Sequence, residues 1–124
     1  MIKGVGIDII EVQRVLEKIN KGNGFKEKIF SVEEIAYCDA HATNGESYAA
    51  RFAAKEAFLK ATGQGLLLGH DLAEIVIMND PAGRPFIELR GSFREEAIRN
   101  DWNKIHLSFS HVHAVACAVV IIEQ

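Results

Sequence analysis

No apolar stretch of this sequence is long enough to cross a bilayer. The longest strongly apolar run, Ala114 to Ile122, falls well short of the roughly 20 residues that a spanning helix needs. An apolar core of signal-peptide length is also lacking, because the first residues reach Asp8 and Glu11 at once, and a cytoplasmic location is expected. There is no basic excess: 14 Lys and Arg stand against 17 Asp and Glu, for a net charge of -3, so no nucleic-acid partner is expected. Cysteine is scarce. Cys38 and Cys117 lie far apart in apolar surroundings and match no metal spacing, so they read as reduced, buried and inert. With no internal repeat, low-complexity tract or Pro/Ser-rich linker, the 124 residues are expected to form one domain spanning 1–124 around a single core. Neither a Walker loop nor Gly-x-Gly-x-x-Gly occurs, which removes P-loop and Rossmann sites from consideration.

What is present is organised around Arg51-Phe-Ala-Ala-Lys-Glu-Ala-Phe-Leu-Lys-Ala-Thr-Gly-Gln-Gly65. From Ser47 to Thr62 there is neither Pro nor Gly, Ala dominates, and Gly63 sits where a left-handed C-terminal cap would end a helix. Helical spacing puts Ala49, Phe52, Ala53, Glu56, Ala57 and Lys60 on one stripe, so a carboxylate and an ammonium share a small, apolar face. Taken alone, Glu56 and Lys60 read as a surface pair contributing about 0.2–0.5 kcal/mol. The sharper reading requires a second acid from elsewhere in the chain, with which Glu56 would share a cation.

Such an acid exists. Ile2 to Ile10 reads as a strand with Val5, Ile7 and Ile9 on one face and Gly4, Gly6, Asp8 and Ile10 on the other, and Asp8 is either an end-of-strand turn former or a ligand. Glu11 to Lys21 follows as an amphipathic helix with Val12, Val15, Leu16 and Ile19 as its core stripe. Its opposite side carries Arg14, Lys18 and Lys21, either a solvated face or a docking patch for an acidic partner. Ser31-Val-Glu-Glu34 is a capping box for a helix to about Ala40, with Ile35, Ala36 and Cys38 inward; Asn44 or Ser47 is expected to cap the central helix. Beyond an apolar loop at Leu66 to Gly69, strands Glu74 to Met78 and Phe86 to Leu89 flank a turn that holds Arg84 between Gly83 and Pro85. Ser92 to Glu95 reads as a second capping box, opening a helix to about Asn100 with Phe93, Ala97 and Ile98 inward. A half-exposed strand carrying Ile105, Leu107 and Phe109 then turns at His111-Val-His113 into a buried, central strand, Ala114 to Ile122. The fold class expected is α+β, a mainly antiparallel sheet packed against a long central helix.

Asp8 with Glu11, Lys55-Glu56 with Lys60, the Gly83-Arg84-Pro85 turn and Ser108-Phe-Ser-His111 supply acids, cations and hydroxyls. Mg²⁺-assisted chemistry on a polyphosphate needs such a set: acids hold the metal, the metal bridges phosphates, and cations neutralise the remaining charge. In order and spacing, Gly6-Ile-Asp8-Ile-Ile-Glu11, Arg51-Phe-Ala-Ala-Lys-Glu-Ala-Phe-Leu-Lys60, Gly83-Arg-Pro85 and Ser110-His111 resemble the holo-acyl-carrier-protein synthases, the small bacterial branch of the 4′-phosphopantetheinyl transferases. The resemblance extends over nearly the whole chain, and the central helix motif is its most specific part.

It implies transfer of the phosphopantetheine arm of coenzyme A to a serine of an acyl carrier protein in fatty acid biosynthesis, with adenosine 3′,5′-bisphosphate leaving. It further implies that Asp8 and Glu56 ligate Mg²⁺, that Lys60 lies against the phosphates, and that the serine proton passes to Glu56 or to a metal-bound water. Arg51, Lys55, Gly83, Arg84, Pro85, Ser110 and His111 match positions associated with binding coenzyme A, and Glu11 matches the motif as an orienting group. Arg14, Lys18 and Lys21 would face the acidic helix of the carrier protein, and members of the family resemble trimers with sites between neighbouring subunits. One departure stands out: after His111, Val112-His113-Ala114-Val115 replaces the polar turn with an acid and an aromatic that is frequent in the family. The competing readings are a non-catalytic coenzyme A or nucleotide-binding module and a purely structural oligomerisation domain.

Overall fold

The computed structural model describes residues 1–64 and 71–124, so the expected loop at Leu66 to Gly69 lies outside the described residues. In chain order the elements are β1 (Ile2–Glu11), α1 (Val12–Asn20), α2 (Phe25–Ile29), α3 (Val32–Asp39) and α4 (Asn44–Thr62). After a 3-10 turn (Leu72–Glu74) come β2 (Ile75–Asn79), β3 (Pro85–Leu89), α5 (Gly91–Arg99), β4 (Lys104–His111) and β5 (Val115–Glu123). The apolar C-terminal strand β5 is central, as expected, and pairs antiparallel with both β1 and β4; β2 and β3 form a separate antiparallel hairpin. The architecture is α+β.

Helix α4 is the spine because its sequence lets other backbones approach. Its alanines 49, 53, 57 and 61 are buried, and the strand facing them carries glycines. A Cβ added at Gly4 would lie 1.8 Å from Ala61 O, and one at Gly6 would lie 1.9 Å from Ala57 O. The glycine face of β1 is therefore the packed one. Val5, Ile7 and Ile9, the apolar face, point outward at 58%, 67% and 71% exposure. At its far end α4 stops where Gly63 takes a φ of 70°, the left-handed cap expected there.

Two apolar clusters flank α4. Phe58, Phe93 and Trp102 join Ile75, Ile77, Val120 and Ile122 on one side, with Phe58 edge-on to Trp102 at 5.6 Å between ring centres. Val12, Val15, Phe30, Tyr48 and Phe52 form the other beneath α1, α2 and α3, and Ile10 and Phe109 pack against both clusters.

Local expectations fail where a tertiary contact claims the residue. The Ser31 box forms, with Glu34 N–H donating to Ser31 Oγ at 3.2 Å and Ser31 N–H to Glu34 Oε1 at 2.9 Å. The Ser92 box does not. Helix α5 begins at Gly91, and Ser92 Oγ instead donates to Glu74 Oε1 at 2.7 Å. Ala36 and Ile98, expected inward, are exposed. Neither Asn44 nor Ser47 caps α4, whose N-cap residue is Thr43, without a side-chain capping bond. Glu11 closes β1 rather than opening α1, and α2 is a short helix in a segment for which the sequence suggested none.

Candidate active site

Asp8 sits on the glycine face of β1, where the missing side chain of Gly6 and the small Ala57 let strand and helix touch. Directly across, α4 presents Glu56 and, one turn later, Lys60. Lys60 donates from Nζ to Asp8 Oδ1 at 3.0 Å and to the Ile7 carbonyl at 2.9 Å, so its ion pair reaches across to the strand. The second acid that Glu56 required is thus in place. Burial pushes the half-buried Glu56 carboxyl above its usual range, the Asp8 charge adds to that, and the charges of Lys60 and Lys18 oppose it.

Two like charges on neighbouring, partly buried groups call for a cation beyond the one Lys60 supplies. Among the described residues no group of three or more His, Cys, Asp or Glu gathers to cage a metal. Two carboxylates are a donor set that suits Mg²⁺, which usually keeps water and substrate phosphate in its shell.

Lys18 has a seat of its own. Its Nζ lies 5.7 Å from the centre of the Phe25 ring and 5.9 Å from that of Phe52, a cation held over two aromatic faces, and its charge reaches Glu56. Arg14 on α1 and Lys21 at its C-cap are exposed, and Arg14 lines a shallow groove with Ile9, Ile10, Glu11 and Val115.

Arg51 and Lys55 point to the other side of α4, toward the hairpin, and the phosphate-binding role expected of Lys55 is corrected by its surroundings. Lys55 is fully buried and donates to Glu34 Oε1 at 2.8 Å, Leu72 O at 2.9 Å and Ile75 O at 2.6 Å, which uses all three ammonium protons. Burial pulls its pKa down, and the charge and hydrogen bond of Glu34 oppose that. The other oxygen of Glu34 accepts from Ile77 N–H at 3.1 Å, so one buried carboxylate ties α3, α4 and β2 together. Arg51, 2% exposed, donates from Nη2 to Asn79 Oδ1 at 2.8 Å, stacks over the Tyr37 ring at 4.2 Å and keeps a buried Nε without a partner.

The Gly83-Arg84-Pro85 turn is rigid. Gly83 has a φ of 89°, Arg84 N–H donates to Asp80 Oδ1 at 2.8 Å, and Asn79 Nδ2 donates to Gly83 O at 3.1 Å. Arg84, Pro85, Asp80 and Phe86 face Ile105, His106 and Leu107 of β4 across a cleft of about 270 Å³. Strands β4 and β1 are the two outer strands of their sheet, so this cleft and Asp8 lie more than two strand spacings apart, roughly 10 Å or more. Ser110 opposes Cys117, which opposes Ile9, so all three sit on the outward face of the sheet, while Asp8, Ala118 and Phe109 face α4. His111 Nδ1 lies 2.9 Å from Glu46 Oε1 in the first turn of α4. Within one chain the acids and Lys60 come together; the turn, Ser110 and His111 stand apart from them.

The family model of the 4′-phosphopantetheinyl transferase superfamily matches residues 4–120. This chain belongs to that superfamily. It is 46% identical over 124 residues to the holo-acyl-carrier-protein synthase of Treponema denticola, covering 99% of each chain. Among solved structures it is similar to the holo-acyl-carrier-protein synthase of Neisseria meningitidis, with a TM-score of 0.91, 30% identity and 100% of both chains covered. The Bacillus anthracis synthase, solved in complex with coenzyme A (3′,5′-ADP), superposes with a TM-score of 0.80 at 33% identity, covering 98% of this chain and 96% of that one.

For this transferase the sequence reading overlooked Glu34, whose capping role concealed its buried charge, and Asn79, which read only as part of a turn. Neither residue gave a signal in the sequence, since the partners of Glu34 and Asn79 are set by where α3 and the hairpin dock on α4.

Proposed function

We propose that this chain, working as one domain over residues 1–124 in the cytoplasm, moves the 4′-phosphopantetheine arm of coenzyme A onto a serine of apo acyl carrier protein, for fatty acid biosynthesis. The observation that carries the reading is Asp8 and Glu56 brought face to face, with Lys60 bound to Asp8. Asp8 and Glu56 would hold Mg²⁺, which would supply positive charge against the pyrophosphate as negative charge develops there.

The partner's serine oxygen forms a bond to the phosphorus nearest pantetheine, and the bond from that phosphorus to the bridging oxygen breaks. Adenosine 3′,5′-bisphosphate leaves. The serine proton passes to Glu56 or to a water held by the metal. Lys60 is more than half exposed, and its flexible stem lets the ammonium turn from the Ile7 carbonyl to the departing phosphate.

The remaining coenzyme A contacts would come from Gly83, Arg84 and Pro85 at the cleft and from Ser110 and His111, with Arg51 supporting. Their separation from Asp8 within one chain favours a site shared by neighbouring copies in a homotrimer. The outward face of the sheet supports that assembly: Val5, Ile7 and Ile9 are exposed there, and their cross-strand partners Ile121, Val119 and Cys117 extend the apolar surface. Arg14, Lys18 and Lys21 meet the carrier protein. The seat of Lys18 over Phe25 and Phe52 makes it the cation that links docking to the reacting acids. Reversing the charge in Arg14→Glu is expected to raise the KM for carrier protein about tenfold or more while that for coenzyme A stays within about twofold; steady-state assays with each substrate varied decide it, and equal effects on both would remove Arg14 from docking.

Intact-mass spectrometry of apo acyl carrier protein incubated with this chain, coenzyme A and Mg²⁺ tests the whole reading. A mass gain of one phosphopantetheine arm, abolished by EDTA, is expected. No gain with several carrier proteins, while coenzyme A still binds, would identify a binding module instead. Among the described residues no helix is long and apolar enough to cross a membrane, and none of these steps calls for one.

A further inference from the structure

The β2–β3 hairpin ends on Asn79 and Pro85, the last strand pair before the turn, and one residue further on Asp80 N–H donates to Arg84 O at 2.9 Å. The side chain of Asn79 adds a connection that the backbone does not make. Its Nδ2 donates to Gly83 O at 3.1 Å, while its Oδ1 accepts from Arg51 Nη2 at 2.8 Å, so one amide uses both ends at once. Arg51 is itself fixed, buried on α4, stacked on Tyr37 and bonded to Ser47 O at 3.4 Å. An unbroken path therefore runs from α4, which carries Glu56 and Lys60, through Arg51 and Asn79 to the turn that lines the cleft beside Arg84.

We infer that Asn79 is a positioning residue for coenzyme A: by clamping Gly83 to Arg51 it sets where the Gly83-Arg84-Pro85 turn stands against α4, and so how tightly the nucleotide end of the substrate is held. Asn79 touches no reacting atom. The inference rests on the transferase reading given above, and it assigns Arg51 a role through Asn79 as well as any direct contact with phosphate. The geometry requires a group that accepts on one side and donates on the other, which a carboxylate, an acceptor only, does not provide.

Asn79→Asp separates positioning from stability. It keeps the acceptor for Arg51 and adds an opposite charge there, yet loses the donor to Gly83 O. The expected result is a thermal midpoint at or above that of wild type, a KM for coenzyme A raised about tenfold, and kcat and the carrier-protein KM within about twofold. The Kd for adenosine 3′,5′-bisphosphate alone, measured by calorimetry, should rise by a similar factor, and Asn79→Ala should weaken it at least as much. If wild type neither transfers nor binds the bisphosphate, the transferase reading falls and this inference falls with it. If wild type binds and Asn79→Asp binds equally well, the inference alone is overturned. It is likewise overturned if both KM values rise together or if the loss of binding follows a fall in thermal midpoint, since those are the marks of a purely structural residue.

Discussion

Glu56→Gln is expected to lower the rate of phosphopantetheine transfer by about 10²–10⁴-fold, the range for removal of a positioned acid or base, and at the same time to stabilise the metal-free protein at neutral pH. The two effects share one cause. Burial and the Asp8 charge raise the Glu56 carboxyl above its ordinary value of 4.5, so the folded chain holds that proton to higher pH than the unfolded chain does. Stability contributed by the group is fully present below 4.5 and is lost as pH rises through the higher folded value. A neutral amide of the same shape does not undergo that loss. Thermal melts of wild type and Glu56→Gln in EDTA, from pH 4 to pH 8, should therefore diverge as pH increases, with the variant more stable at the alkaline end. Added Mg²⁺ should close the difference by raising the wild-type midpoint alone. Parallel melting curves across the range, or a variant that still modifies carrier protein at wild-type rate, would remove Glu56 from the site.

Lys55→Met carries the largest expected cost to stability. It leaves Glu34 buried and charged with its ammonium partner gone, a loss of about 3–5 kcal/mol and a fall in thermal midpoint of roughly 10–20 °C for a chain of this size. Leu72 O and Ile75 O lose their donor in the same change. Combining it with Glu34→Leu removes the stranded charge, although Ile77 N–H and Ser31 N–H then lose their acceptor. The double variant should recover part of the midpoint, and a double variant less stable than Lys55→Met would show that the stranded Glu34 charge is not the main cost of that change. Both proteins keep Asp8, Glu56 and Lys60, so transfer measured well below their midpoints should survive.

Much of the fold was readable because the relevant residues obey local rules. Alternation in Ile105 to Ser110, the breaker-rich turn from Asn79 to Pro85 and the glycine at 63 each signal their element without help from the rest of the chain. The misses have a common character. Ser92 and Ile98 follow sequence templates that Glu74 and the outer surface override. Lys55 reads as a phosphate ligand because it belongs to the motif, but the neighbouring position on a helix lies about 100° round the axis, which is enough to turn Lys55 into the core while Glu56 meets Asp8. No periodicity could have paired Lys55 with Glu34 or Arg51 with Asn79, since those contacts depend on where α3 and the hairpin dock.

The closeness of β1 to α4 has a consequence for how this family can drift. At Gly4 and Gly6 the strand backbone rests on helix carbonyls, with no side chain between them. The gap between the Asp8 and Glu56 Cα atoms is thus fixed by the radii of main-chain atoms, which no substitution can resize, rather than by packing that changes with each replacement. Positions 4 and 6 have no freedom to change: even alanine at either would meet a helix carbonyl and force apart the strand that carries Asp8 and the helix that carries Glu56.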